Sequence, residues 1–114
     1  MAECLFCKIA SGAIPSRKVH EDAEFFAFED INPQAPVHIL IIPKKHIPTL
    51  GDVTAEDRQM MGGLMLLASR IARERGLDRK GFRLLANCQE SAGQSVFHVH
   101  FHLLGGRVFG WPPG

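Results

Sequence analysis

Three histidines occur within five residues, His98-Val99-His100-Phe101-His102, with apolar residues in the gaps. Strict alternation belongs to a β-strand with two unlike faces, because successive side chains point to opposite sides. The row therefore predicts a strand, Val96 to Leu104, carrying His98, His100 and His102 on one face. Val99, Phe101 and Leu103 are left to pack on the other, under whatever covers it. Three neighbouring imidazoles are costly unless something polar fills the space between them. A packed core would place Val or Leu there, so this face is read as functional.

The remaining sequence supplies a fold around that strand. The 114 residues make one domain, 1–114, large enough to bury roughly 65% of its unfolded surface without staples. A 46% apolar and 22% charged composition is that of a globular chain. The net charge of +1 gives no reason to expect a nucleic-acid groove or a basic membrane face. No apolar stretch approaches the ~20 residues of a bilayer span. Met1-Ala2-Glu3-Cys4 lacks a basic start followed by an apolar run, which points to the cytoplasm. Cys4, Cys7 and Cys88 are odd in number and are expected as thiols or metal ligands.

Cys4 to Ala10 reads as a helical turn, followed by a turn at Ser11-Gly12-Ala13-Ile14-Pro15. Strands are expected at Val19 to Glu21, Phe25 to Phe28 and Phe82 to Asn87. Val37 to Ile42 is nearly all apolar and reads as a buried central strand ended by Pro43. One long helix is expected from Ala55 to Arg75. Thr54 and Asp57 form an N-cap pattern, Gly76 a left-handed stop, and Met61, Leu64, Met65, Ala68, Ile71 and Ala72 an apolar face. The sum is an α+β fold: a mostly antiparallel sheet with one long helix on one face.

Two chemistries suit the histidine row. Neutral imidazoles bind zinc or iron. A neutral imidazole is also a nucleophile at phosphorus, and an ordinary pKa of ~6.5 gives it both protonation states near neutrality. Gly93-Gln94-Ser95, just before the strand, offers backbone N–H, amide and hydroxyl donors for oxyanions, which favours phosphate chemistry.

The segment Gly93 to Gly106 resembles the signature of the histidine-triad (HIT) family, His-φ-His-φ-His-φ-φ. Trp111-Pro112-Pro113-Gly114 resembles the C-terminus of its Hint branch. Asp30-Ile31-Asn32-Pro33-Gln34-Ala35-Pro36-Val37-His38 and Ile42-Pro43-Lys44-Lys45-His46 match as well, so the resemblance covers nearly the whole chain. Ala92 departs slightly, standing where the family often has glycine. The resemblance implies a five-stranded sheet that dimerises into a ten-stranded one. It also implies binding of purine nucleoside monophosphates and hydrolysis of nucleoside phosphoramidates. By the same resemblance His100 is the nucleophile that forms a nucleotidyl-histidine, and His102 a ligand of the phosphate oxygens. His98 and His38 complete the cluster, with the His98 carbonyl orienting His100. Asn87, Gly93, Gln94 and Ser95 match phosphate-side contacts, Ser95 lying near the leaving group. Asp30 matches the ribose-hydroxyl acceptor. Leu5, Phe6, Ile9, Phe28 and Ile31 fall where the family lines its base pocket.

Cys4-x-x-Cys7 is half a zinc site. Some bacterial members of the family complete such a pair with the two histidines that match His46 and His98, making a closed structural site. A pair of free thiols is the other reading. Cys88 has no partner in the pattern and reads as a small buried residue. No cofactor is expected in the catalytic chemistry. Three rival readings remain: a non-enzymatic nucleotide-binding or regulatory module, a dinucleoside polyphosphate hydrolase, and a three-histidine metalloenzyme.

Overall fold

The computed structural model describes residues 4–114; the Met1-Ala2-Glu3 start weighed above lies outside the described residues. A short helix α1 (Leu5–Ala10) leads into strands β1 (Lys18–Glu21), β2 (Phe25–Glu29) and β3 (Val37–Pro43). Helix α2 (Arg58–Glu74) and the single turn α3 (Leu77–Lys80) precede β4 (Phe82–Leu85) and β5 (Phe101–Gly105). The five strands form one antiparallel sheet in the order β1-β2-β3-β5-β4. The α+β reading thus stands, with β3 central and β4 at an edge.

Alternation divides the molecule into two layers. Ile39 and Ile41 of β3 and Val99, Phe101 and Leu103 of the β5 region face α2, meeting Leu64, Leu67, Ala68, Ile71 and Ala72. Each fully buried aliphatic side chain contributes about 1.5–3 kcal/mol. On the opposite face Leu40 and Ile42 join Phe26, Phe28, Phe6 and Ile9, the last two supplied by α1. The α1 face is the one to which alternation sends His38, His100 and His102. Leu77 of α3 rests on the sheet at Gly105, where a Cβ would lie 2.6 Å from the leucine methyls.

Several boundaries differ from the sequence expectation. The final strand pairs only from Phe101, and β4 ends at Leu85 before Asn87. Continuing the β3–β5 register would set Val99 against Pro43, which lacks an N–H to donate. The Pro43 carbonyl instead accepts from the His98 ring at 2.8 Å. The long helix begins as a 3-10 turn, Ala55–Asp57, and becomes α-helical at Arg58. The Thr54–Asp57 capping box is present, and Gly76 takes the left-handed conformation with φ +72°. Met65 is exposed, and Leu67 fills the position expected of it in the core. Cys88 is half-buried and not enclosed.

Candidate active site

The sheet register brings the chemistry together. Leu40 and Leu85 both oppose His102, so His38 sits two residues along β3, diagonal to it. The same β4–β5 register, extended by two residues, puts Asn87 opposite His100. The His100 and His102 rings lie 5.1 Å apart between centroids, and those of His38 and His102 5.2 Å.

Backbone groups decide which ring nitrogen carries each proton. The Gln34 N–H donates to His38 Nδ1 at 3.0 Å, so the proton of neutral His38 resides on Nε2. That Nε2–H donates to His102 Nδ1 at 2.9 Å, which puts the His102 proton on its own Nε2. His100 takes the opposite tautomer. Its Nδ1–H donates to the His98 carbonyl at 2.8 Å, leaving Nε2 with a bare lone pair. Adjacent imidazoles of the histidine row are therefore an acceptor and a donor. Burial is the chief cause that lowers the pKa of His38, His100 and His102, and His102 falls to about 4. All three are neutral at neutral pH.

Asp30 flanks the relay. Its Oδ1 accepts from the Asn32 N–H at 2.8 Å, closing the loop, while Oδ2 lies 3.4 Å from His38 Nε2. A cleft of about 610 Å³ opens beside Asp30 and His38, with Arg17, Ile31, Pro33 and Pro36 among its walls. Of the five residues matched to a base pocket, Phe6, Ile9 and Phe28 are buried in the apolar layer, whereas Ile31 and Leu5 are exposed.

The loop before the histidine row is braced from within. The buried Gln94 carboxamide donates to the Pro48 and Val96 carbonyls and accepts from the Gln89 N–H, all within 3.0 Å. Its two amide hydrogens are thus committed to the loop, contrary to the expectation that they face an oxyanion. The Gln94 Oε1, accepting from the Gln89 N–H, helps hold Gln89 at φ 72°, ψ 175°, a backbone region natural to glycine and costing about 1–3 kcal/mol for other residues. Gly93 closes the same turn at φ +95°. Ser95 is exposed, and its hydroxyl makes no hydrogen bond among the described residues.

His98 belongs to a second cluster. Its Nε2–H donates to the Pro43 carbonyl, so Nδ1 is bare and faces Cys4 Sγ at 3.3 Å, Cys7 Sγ at 3.5 Å and His46 Nδ1 at 3.2 Å. Cys7 Sγ lies 3.5 Å from His46 Nδ1, and all four donor atoms fall within 4.8 Å of one another. A tetrahedral zinc, with Zn–N of ~2.0 Å and Zn–S of ~2.3 Å, separates its donors by roughly 3.3–3.8 Å. The four residues fit such an ion. Asp30, His38 and His102 also gather within 4.8 Å, but the proton that Gln34 forces onto His38 Nε2 occupies the lone pair an ion would need.

Sequence reasoning found these side chains but not their fixers, the Gln34 N–H and the Pro43 carbonyl. Backbone groups leave no trace in residue type. The weak signals are the position of Gln34 between Pro33 and Pro36 and the proline that ends β3.

Comparison with known proteins places the chain in a family. A model of the HIT domain matches residues 11–109. The purine nucleoside phosphoramidase of Escherichia coli (strain K12) is 48% identical over 108 residues, covering 95% of this chain and 91% of that protein. The crystal structure of a HIT family hydrolase from Legionella pneumophila Philadelphia 1 superposes with a TM-score of 0.97 at 51% identity, covering 98% of this chain and 100% of that one. A histidine triad protein from Clostridium difficile gives a TM-score of 0.93 at 44% identity, with 96% of each chain covered. With residues 11–109 matched by the domain model and nearly its whole length covered by these relatives, the chain belongs to the HIT family.

Proposed function

We propose that the protein is a hydrolase cleaving the P–N bond of purine nucleoside phosphoramidates. The observation that carries the reading is the pair of opposite tautomers: a bare His100 Nε2 beside a His102 Nε2–H. In-line attack by His100 Nε2 on the α-phosphorus forms a P–N bond to imidazole and breaks the bond to the amine. The amine departs with a proton delivered through exposed Ser95 from solvent. Water then attacks phosphorus, releasing the nucleoside monophosphate and neutral His100. The His102 Nε2–H donates to the equatorial oxygens, together with the Ser95 N–H, the Asn87 amide and the turn at Gly93. Asp30 Oδ2 accepts from the ribose diol. Exposed Ile31 and the adjoining cleft receive the purine.

No metal takes part in the transfer. Cys4, Cys7, His46 and His98 would hold zinc, which would supply a structural tie between α1 and the strands. β4 leaves one edge unpaired and exposes Phe82, a template on which a second copy extends the sheet to ten strands. No helix among the described residues is long and apolar enough to cross a membrane; the proposed place of action is the cytoplasm. Hydrolysis of an adenosine phosphoramidate by wild type and His100→Ala, with and without chelator, tests the reading. With or without chelator the folded wild type should turn over measurably above the variant, which should be inactive in both. Equal rates would overturn it.

A further inference from the structure

Two groups that touch His100 are suspended from the four-donor cluster. His98 contributes Nδ1 to the cluster and its carbonyl to His100 Nδ1–H. Phe6 sits between Cys4 and Cys7, and its ring stands edge-on to His100, with centroids 5.0 Å apart and planes at 87°. The same ring braces Phe28 at 5.5 Å. Helix α1 has six residues, too few to hold its shape alone. Its fixed points are the buried Phe6 and Ile9 and the two cysteines at its start. A bare His98 Nδ1 can accept one proton, so without a cation the four donors share weak and mutually exclusive hydrogen bonds.

We propose that the Cys4/Cys7/His46/His98 cluster, filled by a thiophilic divalent cation, is a positioning device for His100. Loaded, it clamps α1 so that Phe6 on one side and the His98 carbonyl on the other fix the ring for in-line attack. Emptied, it releases α1, and the ring loses its edge contact and the aim of its Nδ1–H. Phe6 is then a positioning residue and not a base-pocket wall. The proposal rests on His100 being the nucleophile.

Zinc titrated into the chelator-stripped full chain tests it, with two readouts: the His100 Nδ1–H resonance in 15N-imidazole NMR, and kcat and KM on an adenosine phosphoramidate. Zinc should bind stoichiometrically. Stripping should lose the Nδ1–H resonance to solvent exchange and lower kcat about tenfold or more, with KM moving less than about threefold. Phe6→Leu in the loaded protein should reproduce that split between kcat and KM. Absence of stoichiometric binding, or a resonance and kcat indifferent to zinc, would overturn the device. So would a Phe6→Leu that raises KM alone. Should stripping unfold the chain, the Phe6→Leu arm decides. If His100→Ala turned over at the wild-type rate, the catalytic reading would fall, while the response of the Nδ1–H signal to zinc would still report the coupling.

Discussion

The molecule holds two compact donor clusters, each built around two histidines, for which opposite uses are proposed. Asp30, His38 and His102 lie as close together as Cys4, Cys7, His46 and His98. What separates them is the backbone group at the second nitrogen of one imidazole. At His98 a carbonyl, that of Pro43, accepts the ring proton and leaves a lone pair facing the cysteines. At His38 an N–H, that of Gln34, fills the lone pair and sends the proton towards His102. An accepting neighbour makes a metal ligand, and a donating one makes a hydrogen-bond relay. Proximity of the donor atoms alone does not distinguish the two groups.

The largest expected effect falls on the relay side. His100→Ala should cut phosphoramidate turnover by roughly 10⁴-fold or more while the amide NMR spectrum stays native. A residual rate near wild type would place the chemistry elsewhere. On the metal side, Cys7→Ser should abolish zinc binding and lower Tm by roughly 10 °C or more, read by calorimetry with zinc present. A single zinc equivalent is expected in the wild type; a second, retained by Cys7→Ser, would break the contrast between the clusters.

The contrast can be sharpened at its hinge. Gln34→Pro removes the N–H that fixes His38, in a loop that already carries Pro33 and Pro36. It should lower kcat about tenfold, and 15N-imidazole NMR should show the His38 proton moved to Nδ1. An unchanged tautomer would show that the neighbouring side chains, not the backbone, set the relay. The smallest effect concerns pH. Burial lowers the pKa of His38, His100 and His102 in the folded state, so below ~6.5 the unfolded chain binds more protons than the folded one. Stability is then full above ~6.5 and declines as pH falls towards about 4, the value for His102. Urea titrations should show this decline, and the acid limb of kcat/KM should lie below ~6.5. A limb at or above that value would mean His100 is not held neutral by burial.

Much of this was legible in residue types. The alternation at His98 to Leu104 assigned the two faces, and the Met61 to Ala72 stripe placed the covering helix. The strand starts at Lys18, Phe25, Val37 and Phe82 lie within one residue of the sequence reading. What stayed hidden was set by partners distant along the chain. Paired strand ends at Phe101, not Val96, because Pro43 across the sheet has no N–H to give. Leu67 and not Met65 is buried because the angular position of α2 on the sheet favours it, a choice that periodicity leaves open. The polar amide of Gln94 read as a ligand donor, whereas its hydrogens serve the Pro48 and Val96 carbonyls.

The most direct test is to locate the nucleotide during turnover. Substrate is mixed with enzyme, the reaction is quenched under alkaline denaturing conditions that preserve phosphoramidate bonds, and the peptide adduct is mapped by mass spectrometry and 31P NMR. A nucleoside monophosphate bonded to His100 through Nε2 is predicted. Attachment to another residue, or turnover with no histidine adduct under conditions that preserve a synthetic one, would contradict the account.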